Sequence, residues 1–203
     1  YLVDNLISSK INSLLSIKKN KIIFKNIDIS KIGSLNSIKN IDIIIHCASL
    51  TNAEGSFKIE KLMYKNNVNC MKNIISYCIK KKINLLHLSS TSVYGSQEST
   101  VYEDNKKFIN PQSPYAKIKI LEEKLLKKNY KKLSFITLRL GTIAGVSPGM
   151  RFHTAVNKFC LNASMNEKIN VYQTAYNQYR PYLSLKTALN CFKFLINKNV
   201  YNN

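Results

Sequence analysis

An α/β fold built on a doubly wound parallel sheet, Rossmann-like, is the class this sequence predicts, and three observations predict it. Short apolar runs alternate with amphipathic stretches along most of the chain. One of the runs, IDIIIHCA at 41–48, is nearly continuous rather than alternating, as a strand buried on both faces requires. The links are short, and strand–helix–strand order with short links implies right-handed crossovers with helices on both faces of the sheet. At 203 residues, 45% of them hydrophobic, the chain can bury one such core and part of a second.

Each element follows from its local pattern. Tyr1-Leu2-Val3 ends in Asp4-Asn5 and reads as a strand, as does KIIFKNIDI at 21–29. From 61 to 80 the apolar positions Leu62, Val68, Met71, Ile74, Ile75, Cys78 and Ile79 keep helical period. NLLHLS at 84–89 is a strand, 115–127 a helix, and LSFITLRL at 133–140 another strand. After Gly145 the rhythm breaks at Ser147-Pro148-Gly149, and 152–165 reads as helix. We therefore expect a first domain over 1–145 and part of a second over 146–203.

Net charge is +20, from 31 basic and 11 acidic residues. Only three of the bases are arginine, Arg139, Arg151 and Arg180, whereas phosphate and base recognition favours arginine. Heavy use of Lys, Asn and Ile together points to composition drift, with Lys on solvent faces and Ile in cores. Nucleic acid is not expected as a partner, although the basic field would draw in an anionic substrate. No apolar run approaches the ~18 residues that span a bilayer, so no membrane partner is expected. The five cysteines, Cys47, Cys70, Cys78, Cys160 and Cys191, form no CxxC, and no metal spacing joins them to His46, His87 or His153. We expect reduced thiols, a cytoplasmic location and no metal. His46 and His87, inside strands, read as core histidines.

In a doubly wound sheet, ligands sit beyond the carboxyl ends of the strands. The residues at those ends are Asp4, Asp28, Ala48-Ser49, Ser89-Ser90-Thr91 and Gly141-Thr142, mostly small or polar. Asp4 is either a helix N-cap or a carboxylate that accepts from a cofactor ribose. The glycine fingerprint that should precede such an acid by some 20 residues is not in this sequence, and the expectation is a chain lacking its first βα unit. SSTSVYG at 89–95 follows a strand directly, and SPYAKIK at 113–119 follows about twenty residues later. Tyr115 and Lys119 are i and i+4, hence on one helix face. A cation held near a phenol stabilises the phenolate, which makes Tyr a proton acceptor and donor at a sugar hydroxyl, with Ser90 sharing the hydrogen bond.

These segments together resemble an extended short-chain dehydrogenase/reductase of the NAD-dependent epimerase/dehydratase family, most like the nucleotide-sugar 4-epimerases of the UDP-glucose type. The resemblance runs over essentially the whole chain. It implies NAD as cofactor, held by Asp4 and Asn5 at the ribose, Asp28 and Ile29 at the adenine, and Cys47, Ala48 and Ser49 of HCAS. Asn67, the second Asn of NNVN at 66–69, Ser89, Tyr115 and Lys119 complete that set. Ser90, Tyr115 and Lys119 are implied to be catalytic. Ser90, Thr91, Ser92, Thr142 of LRLGTIAG and Arg180 of RPY are implied to meet the substrate, Arg180 at its diphosphate. A homodimer formed through two helices is implied as well.

Thr142 stands where the family usually carries Asn, and Pro181 where Asp usually follows the arginine. The expected reaction is epimerisation of a nucleotide sugar by transient hydride abstraction, with Tyr115 as acid/base. The alternatives are a dehydratase, decarboxylase or reductase of the same family, a non-catalytic NAD(P)-binding sensor module, and a polyanion-binding protein. A dehydratase or decarboxylase resembling these enzymes carries a carboxylate just before VYG, where this chain has Thr91-Ser92. A sensor module would be expected to have lost Tyr115 or Lys119.

Overall fold

The computed structural model describes residues 1–7, 11–14, 22–51, 55–97, 100–173, 176–177 and 179–201. Among the described residues the strands are β1 (Leu2–Asp4), β2 (Phe24–Asn26), β3 (Ile43–His46), β4 (Asn84–Ser90), β5 (Phe135–Leu140), β6 (Thr142–Ala144) and β7 (Tyr182–Ser184). The α-helices described are α1 (Glu60–Lys81), α2 (Pro114–Lys128), α3 (Ala155–Ser164) and α4 (Leu185–Lys198). The chain divides into two compact units. One takes the described residues of 1–5, 19–139 and 200–203, the other those of 6–18 and 140–199.

In the first unit β1 pairs in parallel with β2, Val3 opposite Lys25, and β3 pairs in parallel with β4, His46 opposite His87. β5 lies on the far side of β4, giving the order β3-β4-β5. The class is the expected α/β with parallel strands, but the strands fall into separate ladders rather than one sheet. In the doubly wound order the strand bearing the glycine loop lies between the strands to which β1 and β3 correspond. Among the described residues no strand joins those two ladders.

The core beneath them is built from both helix and strand. Met71, Ile74, Ile75 and Cys78 of α1 meet Leu85 of β4, Leu126 of α2 and the Leu35 and Ile38 region, with Val3 and Ile44 packed on its edge. Leu85 and Leu86 are fully buried, each contributing about 2 kcal/mol of transfer free energy. The helical phase of α1 differs from the expectation at its start. Leu62 is exposed and Met63 is buried in its place, because the buried row steps back four residues at a time from Met71 through Asn67 to Met63 and passes Leu62 by. α1 ends on Lys82 in the left-handed region, φ 55°, with its N–H and that of Ile83 returning to the last carbonyls. α2 begins with Ser113 accepting from the Ala116 N–H at 3.2 Å and Pro114 in its first turn.

The second unit pairs β6 with β7 in parallel, Thr142 opposite Tyr182, and α4 follows β7 directly. Ser184 caps α4 by accepting from the Thr187 N–H at 3.0 Å. Among the described residues no helix is long and apolar enough to cross a membrane. All five cysteines are free thiols, and burial pushes Cys70 and Cys78 up to about 12.

Candidate active site

The first unit gathers most of the predicted residues at the carboxyl ends of its strands. Ser90 is the last residue of β4 and caps the turn Thr91–Tyr94, its hydroxyl accepting from the Ser92 N–H at 3.2 Å. α2 packs against both β4 and that turn, and Tyr115 lies in the first turn of α2. Lys119 follows one turn later, and its Nζ lies 5.8 Å from the centre of the Tyr115 ring. The side chain of Lys119 is buried, and its ammonium donates to Glu122 Oε2 at 2.8 Å. The Tyr115 N–H is met by the buried Ser56 hydroxyl at 3.4 Å, which ties the start of α2 to the turn at Gly55–Phe57.

The SSTSVYG turn is braced by an ion pair. Arg139 on β5 grips Glu123 with two parallel bonds, Nε to Oε1 at 3.0 Å and Nη2 to Oε2 at 2.7 Å. Its remaining Nη1 donates to the Tyr94 hydroxyl at 2.9 Å and to the Glu103 carbonyl at 3.0 Å. The guanidinium also lies 5.2 Å from the centre of the Tyr94 ring. Burial pushes the Glu123 carboxyl up, but the hydrogen bonds from Arg139 and Ser89 outweigh it and hold it below the usual range. Gly95 closes the turn at φ +63°, where a Cβ would collide with the Asn110 carbonyl. Only glycine suits that position.

The other candidates divide by what they touch. Asp4 is exposed at the end of β1. Asn5 reaches Asp28 beyond β2, where Asp28 accepts from Ser30 through both its N–H, 3.0 Å, and its hydroxyl, 2.7 Å. Those Ser30 bonds hold the Asp28 carboxyl below its ordinary range. Ile29 turns its side chain into the core. After β3, Cys47 is exposed while Ala48 and Ser49 are half-buried. Asn67 is fully buried and holds that turn from α1, accepting from the Leu50 N–H at 2.9 Å and donating to the Leu50 carbonyl at 3.0 Å. The Ser89 hydroxyl donates to Glu123 at 2.6 Å. The Ser92 hydroxyl is buried with no hydrogen-bond partner among the described residues. Thr142 and Arg180 belong to the second unit, where the Thr142 N–H donates to the Pro181 carbonyl at 2.9 Å. That ladder places the residue after Arg180 beside Thr142.

Two acidic residues escape a reading by motif. Glu122 and Glu123 follow the YxxxK spacing directly, and their partners, His87 and Arg139, come from β4 and β5. Nothing in the linear sequence joins residues 35 or 16 positions apart. Within α2 the i, i+3 spacing of Lys119 and Glu122 was the one visible signal.

The first unit is a parallel α/β domain in which a Tyr–Lys helix packs against a strand-end serine turn. Residues 1–202 match the profile of the NAD dependent epimerase/dehydratase family, and the chain belongs to it. A dTDP-D-glucose 4,6-dehydratase of Dictyostelium discoideum is 29% identical over 181 residues, 81% of this chain and 41% of that protein. An ADP-L-glycero-D-manno-heptose-6-epimerase of Brachyspira hyodysenteriae is 28% identical over 95% of this chain and 62% of its own length. Among solved structures, a UDP-N-acetylglucosamine 4-epimerase of Methanobrevibacter ruminantium superposes with TM-score 0.80 at 23% identity, over 91% of this chain and 60% of that one. The chain thus spans about two fifths to three fifths of the length of these relatives.

The described residues fit NAD, the family's cofactor. An exposed carboxylate ends β1, small residues follow β3, and a buried hydroxyl without a partner, that of Ser92, follows β4. A carboxylate, side chains small enough for close approach and a hydroxyl are what a polar ligand beyond the strand ends requires.

Proposed function

We propose that the chain contributes the NAD-binding domain and part of the substrate domain of an enzyme that epimerises a nucleotide sugar. The observation that carries this is the Tyr115–Lys119 face of α2, with the ammonium 5.8 Å from the phenol ring and the Ser90 turn packed against the same helix. Asp4 and Asn5 hold the ribose at the end of β1, with Asp28 and Ile29 at the adenine. Residues 47–49, Asn67 and Ser89 line the cofactor, and Lys119 reaches its second ribose.

In this reading NAD, when bound, supplies the two-electron oxidation and re-reduction at a sugar carbon. Tyr115 takes the proton of the hydroxyl on that carbon and later gives it back. Ser90 shares the hydrogen bond and orients the oxygen, and Lys119 offsets the charge that develops on the phenol oxygen. Thr91 and Ser92 line the same turn, and Arg180 meets the substrate diphosphate beside Thr142 in the second unit.

The segment Ser89–Gly95 carries no carboxylate. Elimination of water or loss of CO2 needs a further acid or base next to the tyrosine, whereas epimerisation needs only one proton shuttle. We therefore favour the epimerase over the dehydratase. We further propose residues 1–145 and 146–203 as the two functional regions and a cytoplasmic homodimer as the working form. The test is the Tyr115→Phe variant of the full chain, assayed for NAD binding and turnover of nucleotide sugars. Retained NAD binding with turnover cut ~10²–10⁴-fold is expected, the usual worth of a positioned acid–base group. Full turnover would remove Tyr115 from the mechanism.

A further inference from the structure

Lys119 is buried inside the first unit, and its ammonium is not left to the cofactor and the tyrosine alone. Glu122 Oε2 accepts from it at 2.8 Å, and the same oxygen lies 3.0 Å from His87 Nε2 on β4. Glu122 and His87 are both fully buried. The second nitrogen of His87 is 3.4 Å from Thr137 Oγ1 on β5, and its ring stacks on His46 of β3 at 6.4 Å between centres. Glu122 Oε1 has no hydrogen-bond partner among the described residues. One carboxylate oxygen is therefore shared by donors from two elements, the helix that carries Tyr115 and the strand that ends in Ser90.

A lysine stem has four rotatable carbons, and an ammonium on it is a point charge without a fixed direction. Burying such a charge is costly unless a partner is held in place to receive it. Glu122 is that partner, and His87 holds Glu122. Of the three ammonium N–H donors, one is committed to Glu122, and two remain to point toward the tyrosine and the cofactor. Burial pushes the Glu122 carboxyl up, while the His87 hydrogen bond and the Lys119 charge outweigh it and keep it ionised. The neighbouring Glu123 has a different task, since its oxygens are taken by Arg139 and Ser89.

We propose that Glu122, clamped by His87, is a positioning residue that fixes the Lys119 ammonium against the end of β4, so that NAD affinity depends on a carboxylate that does not itself touch the cofactor. The proposal rests on the assignment of Lys119 to NAD made above.

NAD dissociation constants and melting temperatures of the full chain test it, in Glu122→Gln, His87→Phe, Lys119→Ala and Leu126→Ala. Leu126 is a fully buried residue of the same helix and serves as the control for destabilisation alone. Lys119→Ala is expected to weaken NAD binding at least tenfold. Glu122→Gln is expected to weaken it about five- to tenfold, and His87→Phe about threefold. The double variant should fall no lower than Glu122→Gln, because His87 acts through Glu122. Leu126→Ala should lower the melting temperature comparably and leave NAD affinity within twofold. Wild-type NAD affinity in both Glu122→Gln and His87→Phe, with affinity lost in Lys119→Ala, would overturn the clamp alone. Unchanged affinity in Lys119→Ala would overturn the assignment beneath it. Should Glu122→Gln not fold, His87→Phe decides in the same way, since it leaves the Lys119–Glu122 bond in place.

Discussion

Replacing His46 by leucine should flatten the acid side of the protein's stability curve. His46 ends β3 buried, with neither ring nitrogen hydrogen-bonded among the described residues. Burial pushes it down from 6.5 to about 3, Glu122 pulling it up and Lys119 and His87 adding to the fall. A histidine with a depressed folded value is neutral in both states above pH 6.5 and costs nothing there. Below 6.5 the unfolded chain takes up a proton that the folded chain refuses until about pH 3, so stability falls as pH falls across that window. One proton is worth ~1.4 kcal/mol per pH unit, so His46 alone removes about 2 kcal/mol by pH 5. For a chain of this size that is a loss of about 4–8 °C in melting temperature. Urea unfolding of wild type and His46→Leu between pH 7.5 and 5 measures it, above the range where the carboxylates titrate. The wild type should lose about 2 kcal/mol more than the variant over that interval. Parallel pH curves would refute the reasoning, because they would mean that His46 is protonated in the folded state as readily as in the unfolded one. His87, also driven down by burial, contributes in the same direction in both proteins.

Other perturbations separate the structural devices of the first unit. Arg139→Lys keeps the charge but loses the fork on Glu123 and the bond to the Tyr94 hydroxyl, and should cost about 1–3 kcal/mol in urea unfolding; a neutral result would show that the brace is dispensable. Lys82→Gly relieves a non-glycine residue at φ 55° and should stabilise by about 1 kcal/mol, read as a higher melting temperature. Gly95→Ala places a Cβ against the Asn110 carbonyl at positive φ, and should reduce soluble folded protein sharply, as judged by circular dichroism.

The sequence shows its fold where periodicity is local. The apolar run before Cys47, the phase of α1 from Val68 to Ile79 and the Ser113-Pro114 start of α2 are all set by residues within a turn or two of one another. What stayed hidden depends on distant partners. Glu122 acquires its meaning from His87, and Glu123 from Arg139, through packing of α2 on β4 and β5. Asn67 holds the Leu50 backbone through its amide, a bond no spacing rule announces. β6 and β7 are three residues each, too short to carry a period. α4 is a different matter: Leu185, Ala188, Phe192 and Leu195 keep helical spacing behind a Ser184 cap, and the signal was present to be read.

Product analysis tests the central claim most directly. The full chain, NAD and a UDP-sugar are followed by NMR together with absorbance of the reduced cofactor. A nucleotide-sugar 4-epimerase gives the 4-epimer in equilibrium with its substrate and no net reduced cofactor. A 4-keto-6-deoxy sugar or released CO2 would contradict it and give the chemistry to an elimination or decarboxylation instead.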